Sequence, residues 1–229
     1  ENLELFRRFG EMLSNLSLHF VNIAPDKVDM EITLSLSQIR QFFGVDRCAF
    51  LEVLKDCKDS QGLFNTGEET SPYETFSAAS HPWAYNRLIE QKIPVALSSL
   101  DELPPEAGTD RMSWHNANVL STLIIPIHLE SRITHLFGLY AHQTGHQWMD
   151  DHIRRLNLLG GIFIRALIHK HDQDLLIKSR LQLSEAERIA HLGSYTWNFK
   201  EGTHIWSDEF YRIFGYQPDQ VQSTYEAFL

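Results

Sequence analysis

A chain of 229 residues with 43% apolar composition, including 14 Phe, 5 Trp and 7 Tyr, carries enough hydrophobic side chain to fill one or two domain cores. Its formal charge of -10 would repel a phosphate backbone, and its basic residues are not gathered into a stripe with interleaved aromatics, which argues against nucleic acid as a direct partner. No apolar run approaches the ~20 residues of a membrane span, no basic leader with a cleavage site opens the chain, and Cys48 and Cys57 form neither a CxxC pair nor a disulfide framework. The expectation is a globular, cytoplasmic chain without membrane contact.

Leu5, Phe6, Phe9, Met12, Leu13 and Leu16 recur at helical spacing and predict an amphipathic helix over residues 3–20. Pro25 and Asp26 stop and restart the chain, with Asp26 read as the N-cap of a second helix, Asp29 supporting its first turn, and Val28, Ile32, Leu36, Ile39 and Phe42 forming its stripe. Gly44 ends it. The run CAFLEVL predicts a strand over 47–54, and the charged stretch 55–62 a hairpin connection before GLFNTGEE. Cys48 reads as a small buried hydrophobe within that strand.

Pro82 fits the first turn of a helix in PWAYNRLIEQ, with Ser80 or His81 as its cap. LSSLDELPPEAGTDR reads as a turn-rich connector that two adjacent prolines keep irregular. VLSTLIIPIHLE and ITHLFGLYAHQ predict two adjacent antiparallel strands at the sheet centre, with Pro126 better suited to an edge or a bulge. Asp150 is read as the cap of a long helix with Ile153, Leu156, Leu159, Phe163, Leu167 and Ile168 on its apolar face, continuing through LLIKSRLQLSEAERIA. Further on, Tyr195, Trp197 and Phe199 alternate as one face of a strand, Glu201 and Gly202 turn it, Ile205 and Trp206 begin its partner, and Ser207 caps the helix DEFYRIF, which Gly215 terminates.

The phrases LSLHFVNIAPDKVDMEI, FFGVDRCAFLEV, HPWAYNRLIEQKIPVALSSLDELPPEAGTDR and NVLSTLIIPIHLESRITHLFGLYA, in this order, resemble the GAF domains that precede PAS domains in bacterial sensor histidine kinases and related regulators. The segment HLGSYTWNF followed by IWSDEFYRIFGY resembles the opening of a PAS domain that residue 229 leaves unfinished. The resemblance implies an α+β chain: a GAF-like antiparallel sheet flanked by helices over 1–171, a helical signalling linker over 172–191, and the N-terminal part of a PAS domain over 192–229. It also implies a non-catalytic sensory and dimerisation module, joined in one polypeptide to an output domain. A histidine kinase is the favoured output; a diguanylate cyclase, a transcriptional regulator or a ligand-free dimerisation spacer are the alternatives.

HExxH, GxSxG, GxxxxGK[ST] and GxGxxG are all missing, so hydrolase and nucleotide readings lose their anchors. The twelve histidines are scattered: His142 and His146 flank a loop, and His169 and His171 stand two apart on a helix, so no metal and no cofactor is expected. The GAF resemblance implies a pocket between the sheet and the segment crossing its face, for which Tyr73, Phe76, Trp83, Tyr85, Trp114 and His115 are the candidate lining of a small planar ligand. GAF domains that hold linear tetrapyrrole use a cysteine beside a histidine, and no cysteine stands near His115; the NKFDE-type signature of cyclic-nucleotide-binding GAF domains is missing too. A few GAF-fold proteins act on methionine sulfoxide, a reaction that needs an accessible reactive cysteine, and neither Cys48 nor Cys57 stands where the resemblance puts the pocket. A parallel homodimer through the helices at 5–16 and 153–168 is expected, on the reasoning that only one face of the sheet needs helical cover.

Overall fold

Long apolar runs pair into a single sheet. The computed structural model describes residues 2–21, 23–53, 59–66, 75–129, 132–143, 145–198, 200, 203–218 and 220–223. Within them β1 (Arg47–Val53), β2 (Asp59–Thr66), β3 (Thr75–Ser77), β4 (Val95–Leu97), β5 (Ser121–Leu129) and β6 (Arg132–Ala141) form a six-stranded sheet in the order β3-β2-β1-β6-β5-β4. Every neighbouring pair is antiparallel. The expected pairing of the two apolar runs is present, from Ser121 opposite Ala141 to Leu129 opposite Arg132. The middle positions belong to β1 and β6, however, with β5 one place further out.

Two local expectations change. Strand β2 already begins at Asp59, inside the stretch 55–62 read as a connection, and residues 54–58 lie outside the described residues. Phe50 faces Phe64 while Leu51 faces Gly62, so Leu63 is the extra residue of a bulge. The connector LSSLDELPPEAGTDR is less irregular than its prolines suggest. It follows on from β4, contains two 3₁₀ turns at Leu100–Glu102 and Pro105–Ala107, and ends within a helix at Gly108–Asn116. A three-residue strand is too short to show periodicity, and that helix is mostly polar, burying only Asp110 and Trp114.

Both faces of the sheet are covered, contrary to the single-faced cover expected from sequence. Helices α1 (Asn2–Val21), α2 (Val28–Phe43) and the first half of α5 (Asp150–Ala190) share one core with Cys48, Phe50, Ile125, Ile127, Phe137 and Leu139. On the other face Ala49, Leu51, Ile124 and Leu136 lie in a second core with α3 (Pro82–Tyr85), its π-helical continuation Asn86–Glu90, and α4 (Gly108–Asn116). Strands buried on both sides read as continuous apolar runs rather than alternating ones, which is how STLIIPI reads.

The helix stripes are therefore occupied within the chain. Phe9 of α1 stacks on Phe42 of α2 with ring centroids 5.0 Å apart, and Phe20 meets Phe163 of α5 at 5.1 Å. The cap assignments also shift. Asp26 sits inside a 3₁₀ turn, Pro25–Lys27, and Lys27 precedes α2 with no side-chain cap. Asp150 is the first helical residue of α5, while the His152 ring accepts the backbone N–H of Met149 at 3.5 Å. Gly44 does end α2, in the left-handed conformation at φ 61° that a side chain would strain.

The chain divides into two compact units, Glu1–Lys170 and His171–Leu229. In the second, β7 (Tyr195–Asn198) pairs antiparallel with β8 (Thr203–Trp206) and is followed by α6 (Asp208–Ile213). Ser207 caps α6 by accepting the backbone N–H of Phe210 at 3.3 Å, as its sequence position predicts. Trp206, Phe210 and Tyr211 form a small core, whereas Tyr195 and Trp197 of β7 are exposed. Phe199, Glu201 and Gly202 lie outside the described residues. No helix is long and apolar enough to cross a membrane among the described residues.

Candidate ligand cavity

The pleat of β1 and β6 directs Arg47 and Tyr140 to the side that carries Ala49, Leu51 and Leu136, facing α3 and α4. Arg47 and Tyr140 are opposite one another in register, and the guanidinium sits 5.8 Å from the centre of the phenol ring. Arg47 Nε also donates to Asn65 Oδ1 at 2.9 Å. Beneath the ring, Gly138 leaves space that a Cβ would fill, since that atom would stand 2.7 Å from the Tyr140 hydroxyl. Burial pushes the Tyr140 hydroxyl up to about 12, against the opposing influence of Arg47.

The loop after β3 supplies the opposite wall. Phe76 stacks on the His81 imidazole at 5.0 Å and 18°, and His81 in turn meets Trp114 of α4 at 5.2 Å. His81 was read as a helix cap, but its side chain makes no cap bond. That task falls to Asp110 on α4, whose two carboxylate oxygens accept the backbone N–H groups of Trp83 and Ala84 at 3.1 and 2.9 Å. Burial raises the Asp110 carboxyl from its ordinary range, and these hydrogen bonds oppose it. His81 is free to point elsewhere: it is 5% exposed, its Nδ1 contacts Ser80 Oγ at 2.9 Å, and its Nε2 has no hydrogen-bond partner among the described residues. Burial pushes its pKa down to about 4, so the ring is neutral at pH 7.

These groups enclose a small cavity lined by Arg47, Phe76, His81, Trp114, Tyr140 and His142 among others. The space open to the centres of water-sized spheres is about 20 Å³, room for a group of a few heavy atoms. Of the residues proposed from sequence, Phe76 and Trp114 lie in this wall. Trp83 and Tyr85 pack in the same apolar core outside it, Trp83 beneath the guanidinium of Arg87, and His115 is exposed on α4. Tyr73 lies outside the described residues. Sequence reasoning missed Arg47, His81, Tyr140 and His142 as lining. The period-2 series Gly138, Tyr140, His142 was the available signal for two of them.

Among the described residues, no group of three or more His, Cys, Asp or Glu side chains is placed to hold a metal ion. Cys48 is fully buried in the opposite core, where desolvation pushes its thiol well above the usual range, and Cys57 lies outside the described residues.

No family model matches the chain, and no curated protein does. Solved structures do. The phycocyanobilin-bound GAF domain of a cyanobacterial phytochrome aligns at 15% identity over 72% of this chain and 96% of its own, with a TM-score of 0.57. A GAF domain from an Acinetobacter phosphoenolpyruvate-protein phosphotransferase aligns at 12% identity over 75% and 96%, with a TM-score of 0.53. The free methionine-R-sulfoxide reductase of Neisseria meningitidis, solved with its substrate, aligns at 11% identity over 72% and 91%, with a TM-score of 0.56. With its six-stranded antiparallel sheet covered by helices on both faces, this chain has the fold of GAF domains.

Proposed function

We propose that the chain is a non-catalytic sensory and dimerisation module of a multidomain bacterial signalling protein, with a histidine kinase as its output. In this reading the GAF-fold unit covers 1–171, the helix over 172–191 is the signalling linker, and 192–229 is the N-terminal part of a PAS domain. The strand, strand, helix order of β7, β8 and α6 and the Ser207 cap support that last assignment.

The observation that carries the reading is the continuity of α5. Its first half buries Leu156, Leu159, Phe163 and Ile164, and the helix then runs unbroken to Ala190 with almost every side chain exposed. Leu176, Ser179, Leu183, Ala186 and Ala190 recur there at alternating spacings of three and four, the seam of a two-stranded coiled coil, with Leu175 and Ile189 beside it. An uninterrupted helix passes rotation or sliding onward, whereas a flexible linker would not. The homodimer is accordingly assigned to this distal stripe. The faces around Phe9 and Leu159, named from sequence, are filled by their own core.

Sedimentation velocity from one to a hundred micromolar tests the module. A dimer that the double substitution Leu176→Glu and Leu183→Glu converts to monomer, with circular dichroism unchanged, is the expected result. A chain that is monomeric throughout, or a dimer indifferent to the double substitution, overturns it. Reading the coding sequence past Leu229 for an H-box and an ATP-binding region tests the output assignment. A second reading, a spacer whose cavity takes no ligand, draws support from the small volume beside Trp114.

A further inference from the structure

Helix α5 ends on a residue ill suited to the backbone it adopts. His191 takes the left-handed conformation at φ 48°, a place usually filled by glycine or asparagine, and Leu192 closes the helix by donating its N–H to the Glu187 carbonyl at 3.0 Å. Two side-chain ties reach forward from this last turn. Glu187 Oε1 accepts the Ser194 hydroxyl at 2.6 Å, and His191 Nδ1 stands 3.1 Å from Glu209 Oε1 on α6. Glu209 is buried, and its other oxygen accepts from Arg212 at 3.1 Å. Arg212, and after it His191, hold that carboxyl below its ordinary range, so it is ionised and can only accept. The hydrogen of the His191 bond therefore lies on Nδ1.

Backbone groups hold α6 against the same turn. The Ser194 N–H donates to Ser207 Oγ at 3.0 Å, and the Ser207 N–H donates to the Ser194 carbonyl at 2.9 Å. Ser207 Oγ is also the cap of α6, so one hydroxyl serves both the exit from α5 and the start of α6. Gly193 makes this closeness possible. A Cβ there would stand 2.6 Å from Phe210 Cα, a backbone atom that cannot turn aside. His191, Gly193 and Ser194 thus all meet the opening of α6, although β7 and β8 lie between them in sequence.

We infer that this junction is a rigid coupling that makes α6 turn with the end of α5, so that a rotation or shift of the linker helix arrives at α6 directly instead of being absorbed in the turn at 191–194. Glu187 and His191 are its positioning residues. With the Ser194–Ser207 backbone pair alone, the chain between Leu192 and Ser194 could swivel; the ties to Ser194 and Glu209 on top of that pair remove this freedom. The strained backbone at His191 has a use in this arrangement. A glycine would end the helix more easily, but it would hold nothing on α6. The inference rests on the reading of α5 as the signalling linker and deepens it by naming where the movement goes.

Pulsed electron paramagnetic resonance between nitroxides at Lys178→Cys on α5 and Ile213→Cys on α6 tests it, in the full chain carrying Cys57→Ser and diluted with unlabelled chain. Both labelling sites are exposed, and Cys48 is buried away from the reagent. One narrow distance distribution is expected in this parent. The double substitution His191→Gly and Ser194→Ala removes both side-chain ties but leaves the helix stop, the backbone pair and the Ser207 cap; the narrow peak should be lost. His191→Gly alone should broaden the peak part of the way while helix content by circular dichroism is kept, because glycine relieves the left-handed strain. If the double variant loses its near-ultraviolet tryptophan signal, this single variant decides. A residue that only ends the helix would leave the peak narrow in His191→Gly. A broad distribution in the parent, or a peak as narrow in the variants as in the parent, overturns the coupling. The outcomes separate from those of the module: a narrow peak that the variants broaden in a chain that stays monomeric counts against the dimer alone, whereas a dimer with a broad parent distribution counts against the coupling alone.

Discussion

Asp110 Oδ1 accepts the backbone N–H of Ala84 at 2.9 Å, so a side chain on α4 caps the helix that opens at Pro82, across 26 residues of sequence. Replacing Asp110 by Ala strands the Trp83 and Ala84 donors in a buried place and should cost about 2–4 kcal/mol in urea unfolding, two unsatisfied groups at the usual penalty. Asp110→Asn keeps one acceptor and should cost about half as much. Equal stability of both variants with the parent would show that water serves these donors.

Stability should fall on acidification. His81 and His135 are both buried and both pushed from 6.5 down to about 4. As pH drops below 6.5 their unfolded forms take up protons while the folded rings stay neutral, so the unfolded state binds more protons and gains. The stabilisation is complete above about pH 6.5, is lost progressively toward pH 4, and amounts to at most about 3 kcal/mol per ring. His135 stacks on Phe50 at 4.7 Å, and His135→Phe should remove its share of the pH slope. Urea midpoints that are flat between pH 7 and pH 4.5 would contradict this.

Two adjacent glycines on α5 should respond in opposite directions. A Cβ on Gly160 would stand 2.7 Å from Ile127 Cδ1 and 2.8 Å from its Cγ1, where helix and sheet approach closely, so Gly160→Ala should destabilise by about 1–3 kcal/mol. Gly161 has nothing within 4 Å of that position, and Gly161→Ala should gain about 0.5–1 kcal/mol of helix propensity. Thermal midpoints moving the same way would refute the packing described for this interface.

Leu158 and Leu159 give a second neighbouring contrast. Leu158 is 72% exposed and Leu159 1%. Leu159→Glu should abolish the folded state, since a lone carboxylate would be forced into the core. Leu158→Glu should leave circular dichroism and midpoint within about 0.5 kcal/mol of the parent.

The strands and long helices were legible because each carries a run or stripe longer than one period: β5, β6, α1, α2 and α5 were all placed within a few residues. What escaped was either short or held by distant partners. Strand β4 has three residues, and α4 is held by Asp110 and Trp114 rather than by a stripe. Caps were the weakest guess: the side chains at 26 and 150 suit the role locally, yet the helix at Pro82 takes its cap from residue 110. The cavity was half visible for the same reason. Phe76 and Trp114 announced themselves as large aromatics, while Arg47 and His81 reach the cavity through a register pairing and a loop that no local pattern encodes.

Strand β5 outruns its outer neighbour. Among the described residues β4 accompanies it only from Thr122 to Ile124, and no further strand pairs with the rest of that side, in an apolar run of the chain. A strand edge without a paired neighbour invites a strand from another molecule. Pro126 stands two residues past the last pairing and just before the register shift at Ile127, where it removes a hydrogen-bond donor and breaks the run of regular ladder positions. A proline at that place limits what a foreign strand could add, because it offers no backbone N–H to a new ladder.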